Sequence, residues 1–185
     1  MNAEQKNFIE VVGAIASADM KNSGVAASLT TAQAILESAW GKSELTKTGN
    51  ALFGIKATKD WKGKTLTRKT TEYEDGKKVQ VEAEFRAYDT WEDSVKDHSA
   101  FLKKYKRYAK VIGETDYKEA CNAVAAAGYA SDQEYAKKLI ELIETYELYN
   151  YDTKNTNTDD LGAEDKKYYR VQAGAYRRKE GADLM

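Results

Sequence analysis

The segment KTLTRKTTEYEDGKKVQVEAEFRAY, residues 64–88, changes the hydrophobic period of the chain from the helical value to a period of two. Its centre, Asp75-Gly76, is a strong signal for a two-residue hairpin turn between two β-prone arms. That turn pairs Glu72 with Val79. The same pairing places an apolar run on the face that carries Glu72, namely Val79, Val81, Ala83 and Phe85. The sequence therefore predicts a small two-stranded sheet whose apolar face holds a carboxylate.

Helical patterns lie on both sides of this hairpin. Before it, helices are predicted over residues 1–20 and from about Val25 to Trp40, where Gly41 stops the second one. Residues 42–63 show no sustained period and are predicted to be irregular. Three further helices are predicted after the hairpin, beginning at Thr90 and spanning 115–127 and 131–148. This order indicates an α+β fold with a mainly helical lobe, a small β-hairpin lobe and a cleft between them.

The composition narrows the classes of function. The chain has 185 residues, of which 42% are apolar and 32% charged, which is enough for one packed domain. Its 29 basic residues nearly cancel its 30 acidic ones, which argues against nucleic acid as a partner. No apolar stretch is long enough to span a membrane, and residues 1–20 resemble an amphipathic helix rather than a signal peptide.

The chain contains one cysteine and one histidine. Cys121 excludes an internal disulfide, and His98 alone argues against a histidine-based metal site, so neither a metal nor a cofactor is expected. Cys121 is predicted to be a small buried side chain of a helix, and His98 to have a helix-surface or packing role.

The composition changes after residue 152. We expect a catalytic domain over 1–152, a polar linker over 153–166, and the start of a further module over 167–185.

Glu37 is the first candidate for chemistry. It lies at the edge of the apolar stripe of its helix and in the last turn before Gly41. Partial burial and the helix dipole both favour the protonated carboxyl there, which a general acid needs. The alternative is a glutamate on a solvated helix face.

Glu72, on the hairpin, is the second candidate. Two carboxylates on opposing lobes that flank a cleft are typical of glycoside hydrolysis. Four aromatic residues could stack on sugar rings or could pack in the core instead: Phe53, Trp61, Tyr73 and Tyr129.

Four sequence blocks occur in a fixed order along the chain. They are AQAILESAWGKSEL (32–45), NALFGIKA (50–57), FRAYDTWEDSVKDHSAFL (85–102) and AGYASDQEYAKKL (127–139). Over about residues 5–150 the chain resembles the family 73 glycoside hydrolases, which are peptidoglycan endo-β-N-acetylglucosaminidases with a lysozyme-like fold.

The resemblance implies roles for individual residues. Glu37 matches the general acid of the family, Glu72 its second acidic residue and Tyr129 its cleft tyrosine. Asn50 and Phe53 match a loop that lines the cleft. Substrate contacts are expected from five residues: Asn50, Phe53, Trp61, Tyr73 and Ser131. Two positions depart from the family pattern, since Ser131 replaces a threonine and Gln133 a proline.

The tail YYRVQAGAYRRKEGADLM, residues 168–185, resembles the opening strand and helix of a sporulation-related repeat (SPOR) domain, a peptidoglycan-binding module. It lacks the rest of that fold, so we do not expect it to bind by itself.

The resemblance implies cleavage of the β-1,4 bond between N-acetylglucosamine and N-acetylmuramic acid, with bacterial glycan strands as the partner. We also expect the protein to be a monomer. Action on the cell wall is expected, by a phage or prophage lysin released at lysis or by a secreted enzyme that lacks its leader. The alternatives are an N-acetylmuramidase, a lytic transglycosylase and a non-catalytic wall-binding module. Glu72 could act as a base or as a nucleophile, or the acetamido group of the substrate could attack instead.

Overall fold

The computed structural model describes residues 1–74 and 77–152, with the side chains of 71–74 and 77–78 left aside. The predicted linker over 153–166 and the SPOR-like tail over 167–185 lie outside the described residues. In the described part, no helix is both long enough and apolar enough to cross a bilayer.

The described residues form a helical lobe and one antiparallel hairpin, as predicted. The helices are α1 (Ala3–Ser23), α2 (Ala27–Ser38), α3 (Glu44–Gly49), α4 (Trp91–Lys104), α5 (Tyr117–Ala126) and α6 (Tyr135–Thr145). Two short 3-10 helices span Lys106–Tyr108 and Leu148–Tyr151, and the strands are β1 (Lys64–Glu74) and β2 (Lys77–Ala87).

Helix α2 is the centre of the helical lobe. Its sequence, ASLTTAQAILES, is rich in small residues, which allow α1, α5, α6 and the last 3-10 helix to pack closely around it. Every residue of α2 is buried except Leu36 and Glu37. The core of the domain therefore surrounds this helix and leaves only its last turn accessible.

The start of α2 has no local side-chain cap. The backbone N–H of Ser28 instead donates to Oδ1 of Asp152, 124 residues later in the chain, at 2.8 Å. A carboxylate from the far end of the domain thus satisfies one of the free donors at the start of its central helix.

The end of α2 differs from the prediction. The helix stops at Ser38, and Ala39, Trp40 and Gly41 follow with positive φ values of 49°, 62° and 76°. Ser38 holds this turn, because its Oγ donates to the carbonyl of Ala34 at 2.6 Å and accepts from the N–H of Gly41 at 2.7 Å. Since non-glycine residues rarely adopt positive φ, the turn is strained and depends on its packing.

That packing comes from aromatic rings at both ends of the domain. The Trp40 indole contacts Phe8 on α1 and Tyr146 beyond α6, with ring centroids 6.1 and 5.2 Å apart. These contacts stabilise the sharp reversal of the chain directly after Glu37.

The prediction that residues 42–63 are irregular is wrong at one point, where α3 forms. Ser43 caps this helix, accepting a hydrogen bond from the N–H of Thr46 at 3.2 Å, and Glu44 lies in its first turn. Six residues are too few to show a helical period, so only Ser43 and Glu44 at its start indicate this helix in the sequence.

The hairpin has the predicted register. Glu72 pairs with Val79, Thr70 with Val81, and Leu66 with Phe85, while the turn residues Asp75 and Gly76 lie outside the described residues. Backbone hydrogen bonds from the preceding loop secure its base: Arg86 N to Ile55 O, Ala57 N to Glu84 O, and Tyr88 N to Gly49 O.

A buried ion pair joins the hairpin to the helical lobe. Arg86 on β2 donates from Nη1 to both oxygens of Asp97 on α4 at 2.9 Å, and the hydroxyl of Tyr88 donates to Asp97 at 2.7 Å. The two charged side chains are only 9% and 16% exposed. Because neither charge is well hydrated, each depends on the other.

We expect Asp97→Ala to lower the free energy of unfolding by about 3–5 kcal/mol, because it leaves the Arg86 guanidinium buried and unpaired. Denaturant unfolding followed by circular dichroism measures this. The control is Glu92→Ala, which removes an exposed pair with Lys96 on the same helix and should cost about 0.5 kcal/mol. Equal losses in the two variants would contradict the role of burial.

Candidate active site

A cleft of about 440 Å³ opens between the helical lobe and the base of the hairpin. Its walls come from the end of α2, the segment 53–58, Arg86 of β2, the end of α4 with the 3-10 helix that follows it, and the loop 129–131. Four of the predicted site residues line this cleft: Glu37, Phe53, Tyr129 and Ser131.

Glu37 is the one carboxylate among the described residues that line the cleft. Its Oε1 accepts a hydrogen bond from the hydroxyl of Tyr135 at 2.9 Å, and that hydroxyl accepts one from Nε2 of Gln33 at 3.1 Å. Burial against the cleft walls raises the pKa of Glu37, and the hydrogen bond from Tyr135 offsets part of this rise. The balance favours the protonated acid at higher pH than for a free glutamate.

Tyr135 and Gln33 were not predicted from the sequence. Gln33 lies one turn before Glu37 on a helix that is almost entirely buried, and a buried amide there needs a polar partner. That spacing was an available signal. Tyr135 gave none, because its contact with Glu37 joins positions 98 residues apart.

Tyr129 belongs to a cluster of aromatic rings behind the cleft. It stacks on Tyr135 with centroids 5.8 Å apart and packs edge-on against Tyr108 and Phe101. Burial raises the pKa of Tyr129 well above its usual value. The hydroxyl therefore stays protonated near neutral pH, so it can donate a hydrogen bond but is not a general base.

Phe53 forms another wall of the cleft and stacks on His98 with ring centroids 4.0 Å apart. His98 is fully buried, and burial lowers its pKa to about 3. Neither of its ring nitrogens has a hydrogen-bond partner within the described structure. His98 is thus a neutral packing residue behind the cleft, which agrees with the sequence prediction. Cys121 is buried, as was also predicted.

Two other predicted contact residues lie outside the cleft. Asn50 ends α3 in a left-handed conformation, and its Nδ2 donates to the carbonyls of Tyr88 and Asp89 at 3.1 and 2.9 Å. These two hydrogen bonds connect the chain at the end of the hairpin to the helical lobe. Trp61 lines a neighbouring cavity of about 150 Å³, where the Arg86 guanidinium lies 4.6 Å from the centre of its ring.

Glu72 and Tyr73 lie on β1, where their backbones pair with Val79 and Lys78. Their side chains are outside the described part of the structure, so their functional roles remain predictions.

The chemistry available in this cleft is acid catalysis. Across residues 1–74 and 77–152, no three His, Cys, Asp or Glu side chains come together as a metal site. A carboxyl group with a raised pKa is held at the end of a rigid helix, beside tyrosine hydroxyls and an aromatic wall. Such a group can give a proton to a leaving oxygen in a bound ligand.

A helical lobe, a hairpin lobe and an acid at the cleft between them define the lysozyme-like glycoside hydrolases. The family model Glucosaminidase, described as mannosyl-glycoprotein endo-beta-N-acetylglucosaminidase, matches residues 13–148, and the chain belongs to this family. The family and the lysozyme-like fold inferred from the sequence are thereby confirmed.

Known proteins agree with this assignment. The chain is 40% identical over 157 residues to the exo-glucosaminidase LytG of Bacillus subtilis, covering 82% of this chain and 55% of the relative. The catalytic domain of the autolysin Auto from Listeria monocytogenes has a similar structure, with a TM-score of 0.75 and 34% identity over 82% of this chain and 89% of that one.

The truncated glycoside hydrolase domain of FlgJ from Salmonella typhimurium gives a TM-score of 0.65 at 36% identity, covering 77% of this chain and 97% of that one. Against the curated full-length proteins LytG and FlgJ, the chain spans only about half of their length.

We expect Tyr135→Phe to move the alkaline limb of the pH–rate profile to higher pH. The hydroxyl stabilises the carboxylate form, so its loss raises the pKa of Glu37 further and keeps the acid protonated longer as the pH increases. We also expect kcat to fall by up to about tenfold, because the carboxyl loses an orienting hydrogen bond. The measurement is kcat and kcat/KM on solubilised peptidoglycan across pH.

The control is Tyr117→Phe, which removes a similar hydrogen bond, to Glu144 at 3.1 Å, on the exposed surface. It should leave the profile in place. A shift of the Tyr135→Phe profile to lower pH would contradict the inference that the Tyr135 hydrogen bond lowers the pKa of Glu37.

Proposed function

We propose that this domain is an endo-β-N-acetylglucosaminidase that cleaves the β-1,4 bond between N-acetylglucosamine and N-acetylmuramic acid in peptidoglycan. The observation that carries the proposal is the Glu37 carboxyl, with its raised pKa, facing the cleft and oriented by Tyr135. The peptidoglycan hydrolases and glucosaminidases among its relatives support the substrate class. The bacterial cell wall is then the place of action.

In this mechanism Glu37 donates its proton to the glycosidic oxygen as the bond from that oxygen to C1 breaks. Positive charge develops at C1 and the ring oxygen of N-acetylglucosamine. A water molecule finally supplies a hydroxyl group to C1. Its proton goes to Glu72 if Glu72 acts as the base, and to the Glu37 carboxylate if Glu72 or the acetamido oxygen attacked C1 first. The Tyr135 hydrogen bond suits both states, since it orients the acid and stabilises the carboxylate left after proton transfer.

The group on the other side of the sugar is Glu72 in this proposal. Its backbone position on the hairpin, opposite Val79, is the one predicted for the second carboxylate. It would activate water as a base or attack C1 as a nucleophile. In the substrate-assisted route, the acetamido oxygen attacks C1, and Tyr129 donates a hydrogen bond that orients the substrate, because its hydroxyl stays protonated.

Sugar binding is assigned to the cleft walls. Phe53 and Tyr129 offer apolar surface beside Glu37, and the exposed Ser131 offers a hydroxyl group. The Trp61 cavity shares Thr58, Arg86 and Phe101 with the cleft, so a longer glycan can continue toward it.

We expect Glu37→Gln to lower the cleavage rate on purified peptidoglycan by about 10²–10⁴-fold, since general acid catalysis is lost. The products are reduced, and the labelled ends are identified by mass spectrometry. Reduced N-acetylglucosamine ends are expected, and the control Glu44→Gln, an exposed glutamate on α3, should keep full activity.

Other products would overturn the assignment in distinct ways. Reduced muramic acid ends indicate a muramidase, anhydromuramic ends a transglycosylase, and no new ends a binding module. The length distribution of the products separates internal cleavage from the exo mode named for the Bacillus subtilis relative.

We expect Glu72→Gln to lower the same rate by at least about 100-fold, because it removes the base or nucleophile. Glu82→Gln is the control, since Glu82 lies on the neighbouring strand and is exposed. Intact activity in Glu72→Gln would reject a direct role for Glu72 and favour the substrate-assisted route.

A further inference from the structure

We propose that Arg107 forms a carboxylate-binding subsite in this cleft, which takes an acidic group carried by the muramic acid side of the glycan. The inference rests on the proposed function, because it names the part of the peptidoglycan that this side of the cleft binds.

Arg107 lies at the centre of the 3-10 helix Lys106–Tyr108, which follows α4. It is exposed and lines the same cleft as Glu37, while its neighbour Lys106 does not. The side chain is therefore accessible to a ligand that occupies the acid site.

The charge of Arg107 is not neutralised by the described protein. The cleft contains a second guanidinium, that of Arg86, but the carboxylate of Asp97 neutralises it at 2.9 Å. No described carboxylate forms an ion pair with Arg107, and Glu37 is neutral when it is ready to act as an acid. A bound anion would thus find one uncompensated guanidinium in the cleft.

Aromatic contacts hold this guanidinium in place. Its Cζ lies 4.7 Å from the ring centre of Tyr108, which is only 1% exposed, and 5.8 Å from that of Tyr105. An arginine that stacks on a ring keeps its N–H groups available at its edge and loses less conformational freedom when it binds an oxyanion. The planar fork suits a carboxylate, which accepts two parallel hydrogen bonds.

The proposed substrate supplies such groups in two forms. Muramic acid carries a lactyl ether whose carboxyl group is free on stripped glycan strands and joined to the peptide on intact ones. The peptide stem then carries its own free carboxylates. A neutral glycan of N-acetylglucosamine alone has neither. An arginine that lines the same cleft as the acid and pairs with no described carboxylate therefore favours peptidoglycan over neutral glycan.

The test is equilibrium binding to the full chain carrying Glu37→Gln, which prevents turnover. Three ligands of equal sugar length are titrated by calorimetry: peptide-bearing peptidoglycan fragments, the same fragments after amidase removes the peptide, and neutral N-acetylglucosamine oligomers. Adding Arg107→Gln should raise Kd by about 10- to 100-fold for a carboxylate-bearing ligand and by less than about threefold for the neutral one.

The ligand that shows the loss identifies the source of the carboxylate. A loss confined to peptide-bearing fragments assigns Arg107 to the peptide stem, and a loss confined to stripped fragments assigns it to the lactyl group. Arg107→Lys keeps the charge without the fork and should give an intermediate Kd, which also tests the site if the glutamine variant fails to fold. Lys106→Gln makes the same charge change on the same 3-10 helix outside the cleft and should leave all three Kd values unchanged.

Equal weakening for all three ligands, no weakening, or the same effect from Lys106→Gln would overturn the subsite. Failure of the proposed function is seen separately, as an absence of new reducing ends with the wild-type chain. The binding measurement tests Arg107 whether or not the bond is cut.

Discussion

The burial of α2 along its whole length, except at Leu36 and Glu37, is the constraint on which the rest of the structure depends. Four neighbouring elements pack around this helix, so their packing sets the position of its last turn at the surface of the helical lobe. Glu37 gains both of its chemical properties from this arrangement. The walls that enclose the helix also desolvate the carboxyl, and the neighbouring α6 supplies the tyrosine that orients it. The strained turn after Ser38 then carries the chain away from the cleft and leaves the acid accessible.

The two lobes contribute different properties to the site. The helical lobe provides a fixed acid and a wall of aromatic rings, in which burial keeps Tyr129 protonated and His98 neutral. The hairpin is joined to this lobe at its base, through backbone hydrogen bonds and the Arg86–Asp97 pair. That pair also neutralises one of the cationic groups at the cleft, whereas the stacked Arg107 forms no ion pair with a described carboxylate.

Local signals in the sequence predicted most of the fold. The hairpin register followed from Asp75-Gly76 and the alternating pattern, because strand pairing next to a tight turn is determined by neighbouring residues. The helix dipole and the apolar stripe of α2 indicated Glu37 as a candidate acid, because both depend only on residues close to it in the sequence. The left-handed Ala39 and Trp40 could not be predicted, since their strain is offset by rings from Phe8 and Tyr146. The hydrogen bond from Tyr135 to Glu37 and those from Asn50 to the end of the hairpin could not be predicted either, because they join distant parts of the chain.

The carboxylate of Asp152 at the start of α2 has a consequence for the order in which contacts form during synthesis. The central helix is made early, but one of its first N–H groups receives a partner only when residue 152 has left the ribosome. After the other end of the helix, Trp40 gains its ring contact with Tyr146 only when residue 146 has been made. A nascent chain that is still incomplete therefore lacks the Asp152 contact at the start of this helix and the Tyr146 contact after its end, although Ser38 and Phe8 can already hold the turn that follows it. These two long-range contacts therefore form only when the domain is complete.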